Sequence, residues 1–166
     1  MTFMNKRAQL ILLGFGILVL SVGLAVISIH PIARYQEWRC REQLKVLGYE
    51  VQVYQSDYAH LPRQLSDLSN RLNPILLTCP GSGHVPGSFT NADSWADYTF
   101  IDWPGILGTN VVPKDYPIAY DRFMSNHGNR GVNVLTVFGF VRWDANAEWL
   151  RKYAEEHPEV KLRIPQ

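Results

Sequence analysis

His127 stands in the glycine-rich stretch His127-Gly128-Asn129-Arg130-Gly131 and is the side chain best suited to proton transfer near neutral pH. Catalysis would require partners around it: a nucleophile, an orienting acid or a metal ligand set. The chain contains neither a Gly-x-Ser-x-Gly elbow nor a His-Glu-x-x-His helix. Ser82, between Gly81 and Gly83, lacks the strand–turn–helix setting of a nucleophile and reads as a turn serine. His127 is therefore expected to hydrogen-bond the backbone or cap a strand pair, and no enzymatic activity is expected.

Asp93, Asp97, Asp102, Asp115 and Asp121 supply oxygen ligands of the kind calcium takes, but their spacing matches no calcium loop. Solvated loop acids are the expectation, with no cofactor and calcium as the only candidate ion. Two cysteines remain, Cys40 and Cys79. They read either as a disulfide or as two small buried thiols. A bridge would close a loop of about 40 residues and stabilise the fold by roughly 3 to 4 kcal/mol. Trp95, Tyr98, Phe100, Trp103, Tyr116 and Tyr120 follow strand-like alternation and are assigned to a core; the other reading is a groove for a partner or glycan.

These residues have to be positioned by a chain with a divided character. Leu10 to Ile29 is an uncharged apolar run, preceded by Lys6-Arg7. Twenty residues at about 1.5 Å each span roughly 30 Å, the hydrocarbon thickness of a bilayer. In lipid such a run must be helical, and the basic pair favours a cytoplasmic N-terminus. A cleaved secretory signal is the alternative, but the run exceeds the usual 7 to 15 apolar residues of such signals. The sequence thus divides into residues 1–9 on the cytoplasmic side, a transmembrane helix over 10–29, and an extracytoplasmic domain over 30–166. Sixteen Lys plus Arg against fifteen Asp plus Glu leave no basic stripe, so no nucleic-acid partner is expected.

Within the exported part, residues Ile32 to Tyr58 predict a long helix. Cys40, Leu44, Leu47, Val51, Tyr54 and Tyr58 recur at spacings of three and four, which places them on one face. Pro62 stops that helix near His60 and opens a short helix to Leu68. Residues 73–95 are turn-rich, with Ile75 to Thr78 a short buried segment. Tyr98 to Trp103 and Pro117 to Asp121 are expected strands, the second near an edge because of its proline. Pro104 to Pro113 reads as a loop. Val132 to Phe138 and Phe140 to Asp144 are expected to pair across a turn at Gly139. Asp144 can cap a final helix, Ala145 to Glu156, in which Trp149 and Tyr153 are neighbours. The fold class is α+β: a long N-terminal helix packed on a small antiparallel sheet, with a short C-terminal helix.

The membrane segment leading into Cys40, Leu44, Leu47 and Gly48, then Tyr54, Asp57 and Tyr58, then Leu61-Pro62 and Leu65 to Leu68, resembles the helix and helix exit of type IV pilin-like proteins and type II secretion pseudopilins. The Cys79-Pro80 turn fits too. The stretch His127, Gly128, Gly131-Val132-Asn133-Val134-Leu135, Gly139, Val141 and Trp143 is similar to the strand pair and histidine loop of the G-type pseudopilins. The likeness covers most of residues 32–150. It departs at the processing site, where Gly14-Phe15 is preceded by Leu10 to Leu13 rather than a basic residue, and Val19 replaces the expected glutamate. Phe138 and Phe140 stand where relatives have an acidic residue and a histidine.

The resemblance implies a pilin-like fold and a structural or assembly role in a secretion or pilus-type envelope system. It implies a single-pass protein of the bacterial inner membrane, its partners being the bilayer, other pilin-like or secretion-system subunits, and further copies of itself. Helix packing in lipid uses small residues, here Gly14, Gly16, Ser21, Gly23 and Ala25. The alternative is a monomeric membrane-anchored extracytoplasmic binding module.

Overall fold

The stripe of three- and four-residue spacings builds one buried helix face. Cys40, Leu44, Leu47 and Val51 are all buried, and Tyr54 is half-buried at its end. The computed structural model describes residues 6–101 and 115–165; within 6–33 it describes the side chains of Phe15, Ile17, Leu18, Val19 and Ser21. Helix α1 runs from Lys6 to Tyr58. The chain divides into two units, Met1–Tyr35 and Gln36–Gln166, and α1 contributes to both.

In the first unit the described apolar side chains Phe15, Ile17, Leu18 and Val19 are exposed, and the Ser21 hydroxyl donates to the Leu18 carbonyl at 2.9 Å. Among the described residues no helix is long and apolar enough to cross a membrane. Most side chains of the expected span over 10–29 lie outside the described residues, Gly14, Gly16, Gly23 and Ala25 among them.

The second unit is α+β. Four strands, β1 (Tyr98–Phe100), β2 (Pro117–Asp121), β3 (Gly131–Thr136) and β4 (Val141–Ala145), form an antiparallel sheet in sequential order. The core joins Leu44, Leu47 and Val51 of α1 to Ile118, Tyr120, Val132, Val134 and Leu135 of the sheet. Burying those large side chains at roughly 1.5 to 3 kcal/mol each is what holds helix to sheet. Tyr58 departs from the expected stripe: it is exposed, and its ring lies against Tyr54 with centroids 4.5 Å apart and planes tilted by 40°. The helix stops there because Ala59 adopts a left-handed φ of 60°.

Three further expectations are corrected. The short helix after Pro62 begins only at Leu65, as a 3-10 turn to Leu68 with both leucines buried, because Asp67 accepts backbone hydrogens from Arg63 and Gln64 and fixes its start. β2 is not at an edge. It lies between β1 and β3, and its proline is tolerated as the first residue of the strand, where the register shifts between Pro117 and Ala119. The final helix, α3, begins at Glu148. Asp144 still caps it: its carboxylate accepts from the Trp149 and Leu150 amides, each at 2.9 Å. A one-turn helix, α2 (Ala92–Trp95), and a 3-10 turn over Pro74–Leu77 interrupt the loop before β1. Asp102, Trp103 and the loop expected over 104–113 lie outside the described residues.

Candidate functional site

One rung of the sheet carries the polar centre of the molecule. Tyr98 of β1 is opposite Asp121 of β2, and Asn133 of β3 is opposite Trp143 of β4. Asp121 joins the two pairs. Its Oδ2 accepts from the Asn133 amide at 2.6 Å and the Asn133 side-chain nitrogen at 3.0 Å. The same oxygen lies 2.9 Å from Nε2 of His127. Side chains on one rung share a face, so alternation along four strands is enough to bring this set together.

His127 arrives from the loop between β2 and β3. A 3-10 turn, Met124–His127, ends at Gly128, whose left-handed φ of 65° reverses the chain, and β3 starts at Gly131. The imidazole is buried, 3% exposed, and its ring meets Trp143 edge-on at 5.7 Å. A carboxylate can only accept, so Nε2 carries a hydrogen, and in the neutral ring the lone pair is at Nδ1. Nδ1 is buried with no hydrogen-bond partner among the described residues, as are Asp121 Oδ1 and Asn133 Oδ1.

Next to this histidine lies the disulfide. Cys40 and Cys79 are bonded, with Cα atoms 5.5 Å apart, and both are buried. The bond ties the inner face of α1 to the turn at Cys79-Pro80-Gly81. That turn is seated on the histidine loop. A Cβ on Gly81 would lie 2.5 Å from the Asn126 carbonyl oxygen, so only glycine allows this approach.

A second buried carboxylate holds the turn from the other side. Asp97 Oδ2 accepts the Cys79 amide at 2.8 Å and lies 2.6 Å from Ser82 Oγ; Oδ1 lies 2.7 Å from Nδ1 of His84. Ser, His and Asp thus meet, but not as a nucleophilic relay. Both Ser82 and His84 bond the carboxylate, Ser82 Oγ also reaches the Cys79 carbonyl, and the hydrogen bond between the two runs from the His84 backbone amide to Ser82 Oγ at 3.1 Å, not from hydroxyl to ring. The arrangement fixes a loop.

Tyr98 completes the centre. Its hydroxyl donates to Gln43 Oε1 of α1 at 2.9 Å, and Gln43 Nε2 reaches the Ile75 carbonyl at 3.3 Å. Burial pushes the Tyr98 phenol well above its ordinary range, and the charges of Asp121 and then Asp97 push the same way.

The structure brings together Cys40, Cys79 and His127 from among the singled-out residues, with Gly128 and Gly131 shaping the loop. His127 bonds a carboxylate, not the backbone. The four described aspartates do not converge: Asp93 on α2 and Asp115 in a turn are exposed, whereas Asp97 and Asp121 are fully buried and structural, against the expectation of solvation. Among the described residues, Cys40, Cys79 and His127 are the one group with ligand atoms close enough to hold a metal ion, and none of the aspartates belongs to it. The described aromatics go to the core: Tyr98, Tyr116 and Tyr120 are buried, Phe100 packs partly buried against that core, and the half-buried Trp95 donates to the Ser88 carbonyl at 2.9 Å. The sequence does not single out Asn133 or Gln43, and Asp97 and Asp121 enter the site as hydrogen-bonded carboxylates and not as calcium ligands. The available signal was the six-residue interval from Asp121 to His127 across a turn, too common to single out. Comparison of the chain with family models, curated proteins and solved structures finds no match.

Proposed function

We propose that this chain is a membrane-anchored, pilin-like component of a secretion or pilus-type envelope assembly, structural rather than catalytic. The observation that carries the reading is the two-sidedness of α1. Its inner face is filled by Cys40, Leu44, Leu47 and Val51. The opposite face holds Trp38, Val46 and Tyr49, which are 52%, 41% and 64% exposed. Those positions fall on one stripe at 3.6 residues per turn. Large apolar side chains exposed on this face, with the Glu42–Lys45 ion pair set between them, on a helix already packed on its other side mark a mixed surface for association. Towards the N-terminus the exposed Phe15, Ile17, Leu18 and Val19 extend the apolar character of the helix.

In this reading residues 10–29 hold the chain in the bilayer, residues 1–9 stay in the cytoplasm, and the 30–166 domain is displayed outside. Neighbouring helices pack through the small residues of the span and the outer stripe. The absence of catalysis is supported by the site itself. His127 is buried behind Trp143, and Ser82 is bonded to Asp97 instead of to a base.

The test is photo-crosslinking in intact cell membranes, with a reactive residue replacing Leu18 in one variant and Tyr49 in another. The expected result is membrane-retained protein joined, at both positions, to a second copy or to another small single-helix membrane protein. Retention in the membrane with no joined product at either position would replace this reading by a monomeric anchored binding module. Recovery of uncut full-length protein in the aqueous fraction without detergent would overturn it altogether.

A further inference from the structure

The two sulfurs of Cys40 and Cys79 and a ring nitrogen of His127 all lie within 4.8 Å of one another, and all three residues are buried. We propose that, once the disulfide is reduced, these three side chains form a binding site for a thiophilic d10 cation, Zn²⁺ in the first instance. The same residues would then carry either a cross-link or a metal ion, so occupancy follows the thiol redox state.

Four features of the site support this. First, the histidine is prepared as a ligand. Asp121 accepts from Nε2, so the neutral ring holds its lone pair on Nδ1, and Nδ1 is buried without a hydrogen-bond partner among the described residues. A carboxylate holding the far nitrogen of a ligating imidazole is the usual outer arrangement of metal sites; it fixes the tautomer and raises ligand basicity. Second, Asp121 is itself held by both nitrogens of Asn133, so the imidazole is oriented by a sheet rung and not by a mobile loop. Third, the Gly81 amide donates to Cys79 Sγ at 3.4 Å, so a backbone hydrogen bond already positions that sulfur. Fourth, the dimensions suit the ion. Zn–S of about 2.3 Å and Zn–N of about 2.0 Å place tetrahedral ligand atoms roughly 3.5 to 3.8 Å apart. The sulfurs reach that separation by moving apart on loss of their bond, within the spread the three atoms already occupy.

The chemistry balances with a phosphine as reductant. The S–S bond breaks, the phosphine gives up two electrons and takes the oxygen of one water molecule, and two thiols form with that water's hydrogens. Zn²⁺ then binds both sulfurs and releases two protons, the neutral imidazole adding as third ligand. A hard cation such as calcium would not select two sulfurs and a nitrogen.

The experiment uses the full chain in detergent, reduced with a phosphine that is then removed under anaerobic conditions, and titrated with Co²⁺ as a coloured surrogate. One equivalent should bind, giving the near-ultraviolet thiolate-to-cobalt charge-transfer band and the visible bands of tetrahedral cobalt, both abolished by one equivalent of Zn²⁺. The oxidised chain should give neither. Asp121→Asn should weaken zinc binding by about 10- to 100-fold, and His127→Gln by at least tenfold. Because either variant risks misfolding, ¹¹³Cd NMR of the unaltered reduced chain, labelled with ¹⁵N-histidine, supplies the second readout: cadmium should couple to Nδ1 of one histidine. Absence of stoichiometric binding by the reduced chain, binding by the oxidised chain of equal strength, or cadmium that couples to no histidine would each overturn the proposal. So would a reduced chain that unfolds and is not refolded by the metal.

Discussion

The phenol of Tyr98 and the carboxamide of Gln43 share a buried hydrogen bond of 2.9 Å that joins the first strand to the long helix. It is a polar tie inside an apolar interface. Tyr98→Phe removes the donor and leaves Gln43 Oε1 buried and unsatisfied. The expected cost is about 1 to 3 kcal/mol, read as a lower urea midpoint with unchanged slope. Combining it with Gln43→Leu should cost less than the sum of the two single changes, because the second removes the stranded acceptor.

Gly48 sets how closely α1 approaches the sheet. A Cβ there would lie 2.8 Å from Leu135 Cδ1 and 3.3 Å from Gly139 Cα. Leu135 is fully buried and Gly139 presents backbone, so neither yields cheaply. Gly48→Ala gains about 1 kcal/mol of helix propensity and loses about 1 to 3 kcal/mol to overpacking. A net loss of stability is expected. Leu135→Ala removes the closer contact and leaves Gly139 Cα, so Gly48→Ala should cost less in that background; an equal loss in both backgrounds would refute the steric account.

Asp144 is the cap of α3, and the helix in turn buries Leu150 and Tyr153. Asp144→Ala should cost about 1 to 2 kcal/mol, and Asp144→Asn only a fraction of that, since asparagine remains a good acceptor at such positions. Thermal unfolding followed by circular dichroism separates the two variants. Trp149 fluorescence should change with Asp144→Ala if the first turn loosens.

Alkaline pH should unfold the protein through its tyrosines. Burial pushes Tyr116 up to about 12, with the Glu159 charge adding to it, and raises Tyr98, Tyr120 and Tyr153 as well. In the unfolded chain a tyrosine titrates near 10. The folded state therefore binds more protons above pH 10, so this stability is complete below pH 10 and is lost as pH rises through about 12. Ultraviolet titration should show part of the phenols ionising late, together with loss of ellipticity. Smooth ionisation of all eight tyrosines near pH 10 in a still-folded chain would contradict it.

The long helix and the β3–β4 pair were legible because their signals are local: a three- and four-residue rhythm from Cys40 to Val51, and two strand-forming runs around Gly139. Pro117 misled because a proline usually marks an edge strand, whereas here it begins a central one and the register shift absorbs its missing donor. Tyr58 continues the rhythm but is exposed, with its ring against Tyr54 and near Arg71. The Asp121–Asn133 pairing was illegible because it rests on strand register, which no local pattern encodes; the same holds for Asp97, whose partners are 13 to 18 residues away along the chain. Sequence named both cysteines and His127 separately. Only the three-dimensional arrangement makes them neighbours.

The bond between Cys40 and Cys79 also governs how the molecule fails. Its two ends are 39 residues apart, and the exposed stretch from Gln55 to His60 lies between them. A protease that nicked the backbone there would leave two polypeptides still fastened together. On a non-reducing gel the severed protein would run as one species, and the two fragments would separate only after a reductant cut that bond.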